Sequence, residues 1–249
     1  MFCRDNPIWR YDPDGNTDYS ATVKITKGAG NTQIKTVTVD VVYAVINVSS
    51  KMVNSTQVAG ADYHSETFST SFTGKDQNGV VTTVNVVTNI SYRPVENINL
   101  VRKGENVMFI VDDIEQASGE KGVSNPVGMA EFGGNVMAVE EAYIRDEGVV
   151  EHEKGHNFGF EFSNNPSDPA HSTNPSDYMH ARSARGGNRS VGKTAPGVIR
   201  GVFNHFLYMT NGTFTQGSPS GNGKEKAKQF FIGNSFRYDR TKAKAAGLE

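Results

Sequence analysis

The segment Glu151-His152-Glu153-Lys154-Gly155-His156-Asn157-Phe158-Gly159 sets two imidazoles four residues apart, with a carboxylate beside the first. On an α-helix, residues i and i+4 share a face, one turn apart. Two imidazoles so placed can reach one ion at about 2.0–2.1 Å, the distance at which Zn2+ takes a histidine nitrogen. Glu153 is displaced around the helix from both rings. It is poorly placed as a third ligand and well placed to take a proton from a water at the ion, as a general base. The plain alternative is a surface helix on which two histidines and a glutamate are merely polar. The chemistry suggested is zinc-dependent hydrolysis with His152 and His156 as ligands, and it requires a third ligand from elsewhere.

Two further features bear on that ligand. Gly159 stands three residues after His156, and a downstream stretch reads His171-Ser172-Thr173-Asn174-Pro175-Ser176-Asp177-Tyr178-Met179-His180. With these the sequence resembles the metzincin zinc peptidases. That family carries His-Glu-x-x-His-x-x-Gly, a third histidine beyond the glycine, and then a methionine in a tight turn beneath the metal. In its matrixin branch the third histidine is followed by Ser, and the Met comes eight residues after that histidine. The resemblance implies His171 as third ligand and Met179 as the turn methionine. The family's usual third-ligand position falls here on Phe162, which cannot bind zinc. Reaching His171 requires an insertion over 162–170, whose Asn-Pro and Asp-Pro pairs suit a loop. Asp168 and His180 remain competing ligands, and the plain reading of His171 is a solvent-facing loop histidine. The segment from Met129 to Gly133 resembles the edge strand of the metzincin upper sheet. This implies that Ala130, Glu131, Phe132 and Gly133 line an edge able to pair with an extended peptide; otherwise it is an ordinary short strand.

The elements that must position these residues are partly legible. Residues 20–48 alternate apolar and β-branched types, the run 34–48 predicts one long strand or two short ones, and 80–92 predicts another. Residues 106–112 form a short apolar run of the kind found in a buried strand. Residues 129–139 predict two short strands about Gly133-Gly134. Residues 149–158 predict the helix bearing His152 and His156, with Asp146 as N-cap and Gly159 as stop. Residues 51–74 read as a polar helix, 116–128 as loop and 163–195 as irregular chain. Residues 196–209 read as a helix with Pro196 near its start. Residues 17–33 carry no assignment. The segment from 217 on is expected to be polar and mobile, with the terminal Leu248-Glu249 pair playing no structural part. The expected class is α+β: a zincin-like mixed sheet with an active-site helix and a smaller, irregular C-terminal subdomain.

The 249 residues suffice for a substantial core, and 21% charged residues fit a folded chain. A net charge of -2 argues against nucleic acid as the main partner. Cys3 is the single cysteine, so no intrachain disulfide forms. No run of about 20 apolar residues spans a membrane. The opening MFCRDNPIWR lacks the apolar core of a secretory signal. That leaves a cytoplasmic protein, one exported by another route, or a piece of a longer parent. Residues 5–15 read Asp-Asn-Pro-Ile-Trp-Arg-Tyr-Asp-Pro-Asp-Gly, which is turn chemistry. They also resemble the end of the core domain in bacterial RHS/YD-repeat proteins, where a variable C-terminal toxin domain begins. The organisation this implies is a junction segment at 1–16, a zincin peptidase domain at 17–215 and a polar tail at 216–249. The function it implies is a secreted toxin domain, delivered into a target cell, that cleaves a peptide or protein substrate and is neutralised by an immunity protein. A zincin acting on peptidoglycan cross-links, or a binding or processing module with a structural zinc, stands as the alternative.

Overall fold

The β-branched run noted above forms the longest strand, and its burial changes character halfway along. In the computed structural model, which describes residues 19–51, 66–75, 78–116, 126–144, 147–157, 165–173, 179–180, 212–216 and 223–249, β2 spans Thr32–Asn47. Lys35, Val37, Val39 and Val41 are buried while their neighbours are not, the period-2 pattern of a sheet covered on one face. From Tyr43 to Ile46 every residue is buried, so here both faces are covered.

The strands are β1 (Tyr19–Lys27), β2, β3 (Glu66–Lys75), β4 (Val81–Pro94), β5 (Asn106–Val111), β6 (Asp113–Gln116), β7 (Gly128–Ala130), β8 (Val136–Glu140), β9 (Gly212–Gln216) and β10 (Ser235–Arg237). The helices are α1 (Glu147–Asn157), α2 (Gly223–Gly233) and α3 (Arg240–Ala245). The main sheet runs β3-β4-β2-β5-β8-β7, with β1 added to β2 and β9 to β1. β4 and β5 lie parallel to β2, and β8 lies parallel to β5; β7 returns antiparallel to β8 and ends the row. The class is thus α+β, with a curled mixed sheet.

Side-chain alternation assigns each face. Tyr43, Val45, Met108, Ile110, Met137 and Val139 join Val149 and Val150 of α1 in one core. Their neighbours Ala44, Ile46, Val107, Phe109, Val136 and Ala138 turn the other way, against Ala227, Phe230 and Phe231 of α2 and Ala243 of α3. The central strands are therefore packed between α1 and the C-terminal helices, as their unbroken apolar sequence requires.

Several expectations need revision. Residues 66–75 are strand β3, paired antiparallel along β4, and not part of a polar helix. The Ser and Thr of this stretch are weak helix formers, and a neighbour with free backbone groups decides the outcome. The described part of the C-terminal segment, 223–249, is folded into α2, β10 and α3 and is not an irregular tail. It supplies the second helical layer, and β10 pairs with β6. Its apolar residues are few but occur at helical spacing, which an average over the segment conceals. Leu248 is 2% exposed, and its N–H donates to the Ala243 carbonyl at 3.0 Å. The unassigned 17–33 stretch holds β1, a hairpin partner of β2. The junction segment 1–16, the Asp146 cap, Gly159, the 196–209 helix and much of the expected irregular subdomain lie outside the described residues.

Phe231 is 3% exposed and stands 5.1 Å from Phe109, centroid to centroid. Phe231→Ala should cost about 3–5 kcal/mol in urea unfolding. A segment with no part in the core would give no change.

Candidate metal centre

Helix α1 presents two working faces. Val150, Lys154 and Asn157, spaced four and three apart, are all buried and share the side toward the sheet. The Lys154 ammonium reaches its charge partner Glu151 and stands 5.7 Å from the Tyr92 ring centroid, which lets a lysine 1% exposed keep its charge compensated. His152 and His156 fall on a different side, as the four-residue spacing requires.

There the rings converge. His152 Nε2 and His156 Nε2 are 3.1 Å apart. Two nitrogens bound tetrahedrally to zinc at about 2.05 Å stand about 3.3 Å apart, so the pair is close to the geometry an ion needs. The third ring is that of His171. Its centroid lies 5.1 Å from that of His152 and 4.9 Å from that of His156, while the first two are 4.7 Å apart. The centroids form a nearly equilateral triangle, and one nitrogen of each ring lies within 4.8 Å of the others. Among the described residues these three histidines form the group able to hold a metal ion, and Asp168 and His180 do not belong to it. The donor set fits zinc, though three imidazoles do not by themselves select it over other divalent transition metals.

The chain brings His171 to the helix by two devices. Asn165 to His171 forms a self-bonded turn. The Asn165 side-chain amide donates to the His171 carbonyl at 3.0 Å, the Asp168 N–H to the Asn165 carbonyl at 3.1 Å, and the His171 N–H to the Asp168 carbonyl at 3.1 Å. The described part of the stretch before His171, residues 165–170, is thus a compact turn. Beyond it, Ser172 bridges to His180 and donates its N–H to the Met179 carbonyl at 3.0 Å. Met179 is fully buried beneath α1. A Cβ at Gly155 would overlap its sulfur and stand 3.0 Å from its Cε. Gly155 is therefore what lets the methionine segment close under the two histidines.

Glu153 is 5% exposed. Its carboxylate lies over the backbone of β7, where a Cβ at Gly128 would come within 2.8 Å of the Glu153 Cδ. The carboxylate thus sits between the ligand face of α1 and the strand that ends the sheet. Asn157 joins the β7–β8 turn and the start of β8 to the helix. Its Nδ2 donates to the carbonyls of Glu131 at 3.0 Å and Val136 at 2.9 Å, and its Oδ1 accepts from the Tyr43 hydroxyl at 3.1 Å. Gly133 N–H adds a bond to the His156 carbonyl at 2.8 Å. Burial pushes the Tyr43 hydroxyl pKa upward, so it stays protonated and able to donate.

Of the expected edge residues, only Ala130 lies in β7; Glu131, Phe132 and Gly133 form the turn to β8. Glu131 folds back over Gly134, and burial raises its carboxyl pKa against the opposing bond from the Asn135 backbone. Phe132 is 45% exposed, with its ring 6.4 Å from that of His156.

No protein family, curated protein or solved structure matches the chain, and the centre stands on its own geometry. Gly128, Gly155, Asn157 and the turn around Asp168 escape a reading of the motif alone. One signal was available: a glycine inside a helix costs up to about 1 kcal/mol relative to alanine, so Gly155 between two histidines implies a close neighbour.

Gly155→Ala tests that contact by its sign. At an ordinary helix position the change stabilises, but here it should destabilise by about 1–3 kcal/mol in urea unfolding, through overlap with Met179. For the ligand set, His171→Ala should lose bound zinc in metal analysis while His180→Ala retains it.

Proposed function

We propose that this protein is a zinc-dependent endopeptidase of zincin fold, related in its centre to the metzincins. The observation that carries the reading is the convergence of His152, His156 and His171 beside the buried carboxylate of Glu153. Three ligands leave a coordination position open, as in catalytic sites, whereas structural zinc sites close with four. The ion, when bound, supplies a Lewis acid that makes water nucleophilic near neutral pH.

The remaining work falls to the chain. The Glu153 carboxylate takes the proton of the attacking water at one of its Oε atoms and returns it to the departing amine. Its packing against Gly128 fixes where that proton is held. Among the described residues β7 pairs only with β8, and its other edge is where this reading places the backbone hydrogen bonds to an extended polypeptide. Glu153 lies over the face of β7 at Gly128, close to that edge strand, which favours a peptide or protein substrate. Met179, closed against Gly155, serves as the base under the ligands.

The biological setting follows from residues 5–15. Their RHS-like Asn-Pro and Asp-Pro-Asp-Gly sequence supports a toxin domain of a bacterial competition protein, secreted or delivered as part of a longer chain and countered by an immunity protein. No helix among the described residues is long and apolar enough to cross a membrane.

Glu153→Gln should keep zinc and lower cleavage of an unfolded protein by roughly 10²–10⁴-fold. His152→Ala should lose both metal and cleavage. Full turnover by the glutamine variant would exclude Glu153 as the base.

A further inference from the structure

The loop that supplies the third histidine carries a carboxylate as well. Asp168 Oδ2 stands 2.8 Å from His171 Nδ1. An ionised carboxylate only accepts hydrogen bonds, so the proton in this contact belongs to Nδ1. In the neutral ring that leaves the lone pair on Nε2, the same nitrogen with which His152 and His156 approach each other. We infer that Asp168 is a positioning residue: it fixes the tautomer and ring orientation of His171 and thereby sets the affinity of the centre for its metal. This rests on the three-histidine metal centre and not on what the protein cleaves.

Two observations separate this role from simple bracing. The Asp168 side chain is 51% exposed, and the contact links residues three apart in one turn. Exposed local ion pairs contribute little to stability. The turn is also closed without it, through the Asn165 amide on the His171 carbonyl and the backbone bonds of Asp168 and His171. What the carboxylate adds is control of one ring nitrogen. Histidine ligands commonly donate their second ring N–H to such an oxygen, which raises their basicity toward the ion. The arrangement also gives a part to the aspartate that stood as a competing ligand: it acts on the ligand rather than on the metal.

The test compares zinc affinity, by chelator competition, in the wild type, Asp168→Ala, Asp168→Asn and His171→Ala. Asp168→Ala should bind zinc about 10- to 100-fold more weakly than wild type. Asp168→Asn should recover most of that loss, because its carbonyl accepts the same N–H. With cobalt as probe, the absorption bands of Asp168→Ala should shift while those of Asp168→Asn stay near wild type. The metal-free proteins should melt together. Wild-type zinc affinity in Asp168→Ala, with His171→Ala impaired, would overturn the inference and leave the peptidase reading intact. An Asp168→Ala that melts well below wild type without metal, and that asparagine does not rescue, would make Asp168 a loop brace and overturn it as well. Failure of the wild type to bind zinc would remove the centre itself and both readings with it.

Discussion

The arrangement depends on one close approach, that of the Met179 sulfur to the backbone of α1 at Gly155. A helix can align two imidazoles unaided, but two ligands do not hold an ion in a catalytic site. The third must come from a segment that comes up to the helix and stays there. Removing a single Cβ at the middle of the motif gives that segment room. Met179 then fills the space, its carbonyl pairs with Ser172, and the residue before Ser172 is His171. Packing at one helix position thus controls ligand geometry through two residues of chain.

A second contact of the same kind serves the carboxylate. Gly128 lets Glu153 lie against the last strand of the sheet, and Asn157 bonds that strand's hairpin to the helix C-terminus. The sheet edge, the carboxylate and two ligands are therefore tied together by direct contacts. The cost of leaving buried carbonyls or the Tyr43 hydroxyl without partners opposes any separation. Because β2, β5 and β8 are packed between α1 and the C-terminal helices, this group is anchored to both cores of the protein.

What could be read without a structure follows from how local each signal is. His152, Glu153 and His156 were legible because helical spacing alone brings two side chains together. The paired strands around Gly133-Gly134 and the long β2 were legible because alternation is local too. The polar helix expected over 51–74 gives way over 66–74, the part among the described residues beyond Lys51, because β3 is defined by its partner β4, 6 to 24 residues away in register, and not by its own weak preferences. The C-terminal segment failed for a related reason: Phe230, Phe231, Phe236 and Leu248 are scattered among charged residues, and only the second face of the sheet, opposite α1, gives them a place to be buried.

The sequence by itself determined the chemistry of the centre: two imidazoles and a carboxylate on one helical turn, and a His and Met at a spacing that suggested a partner segment. Tertiary structure decided which of His171, Asp168 and His180 joins them, putting His171 in the triangle and Asp168 behind it. The physical reason is that helix geometry fixes distances only over a turn or two. A ligand 15 residues beyond His156 is placed by the loop's own hydrogen bonds and by a steric fit between Gly155 and Met179, neither of which has a local signature strong enough to choose among candidates.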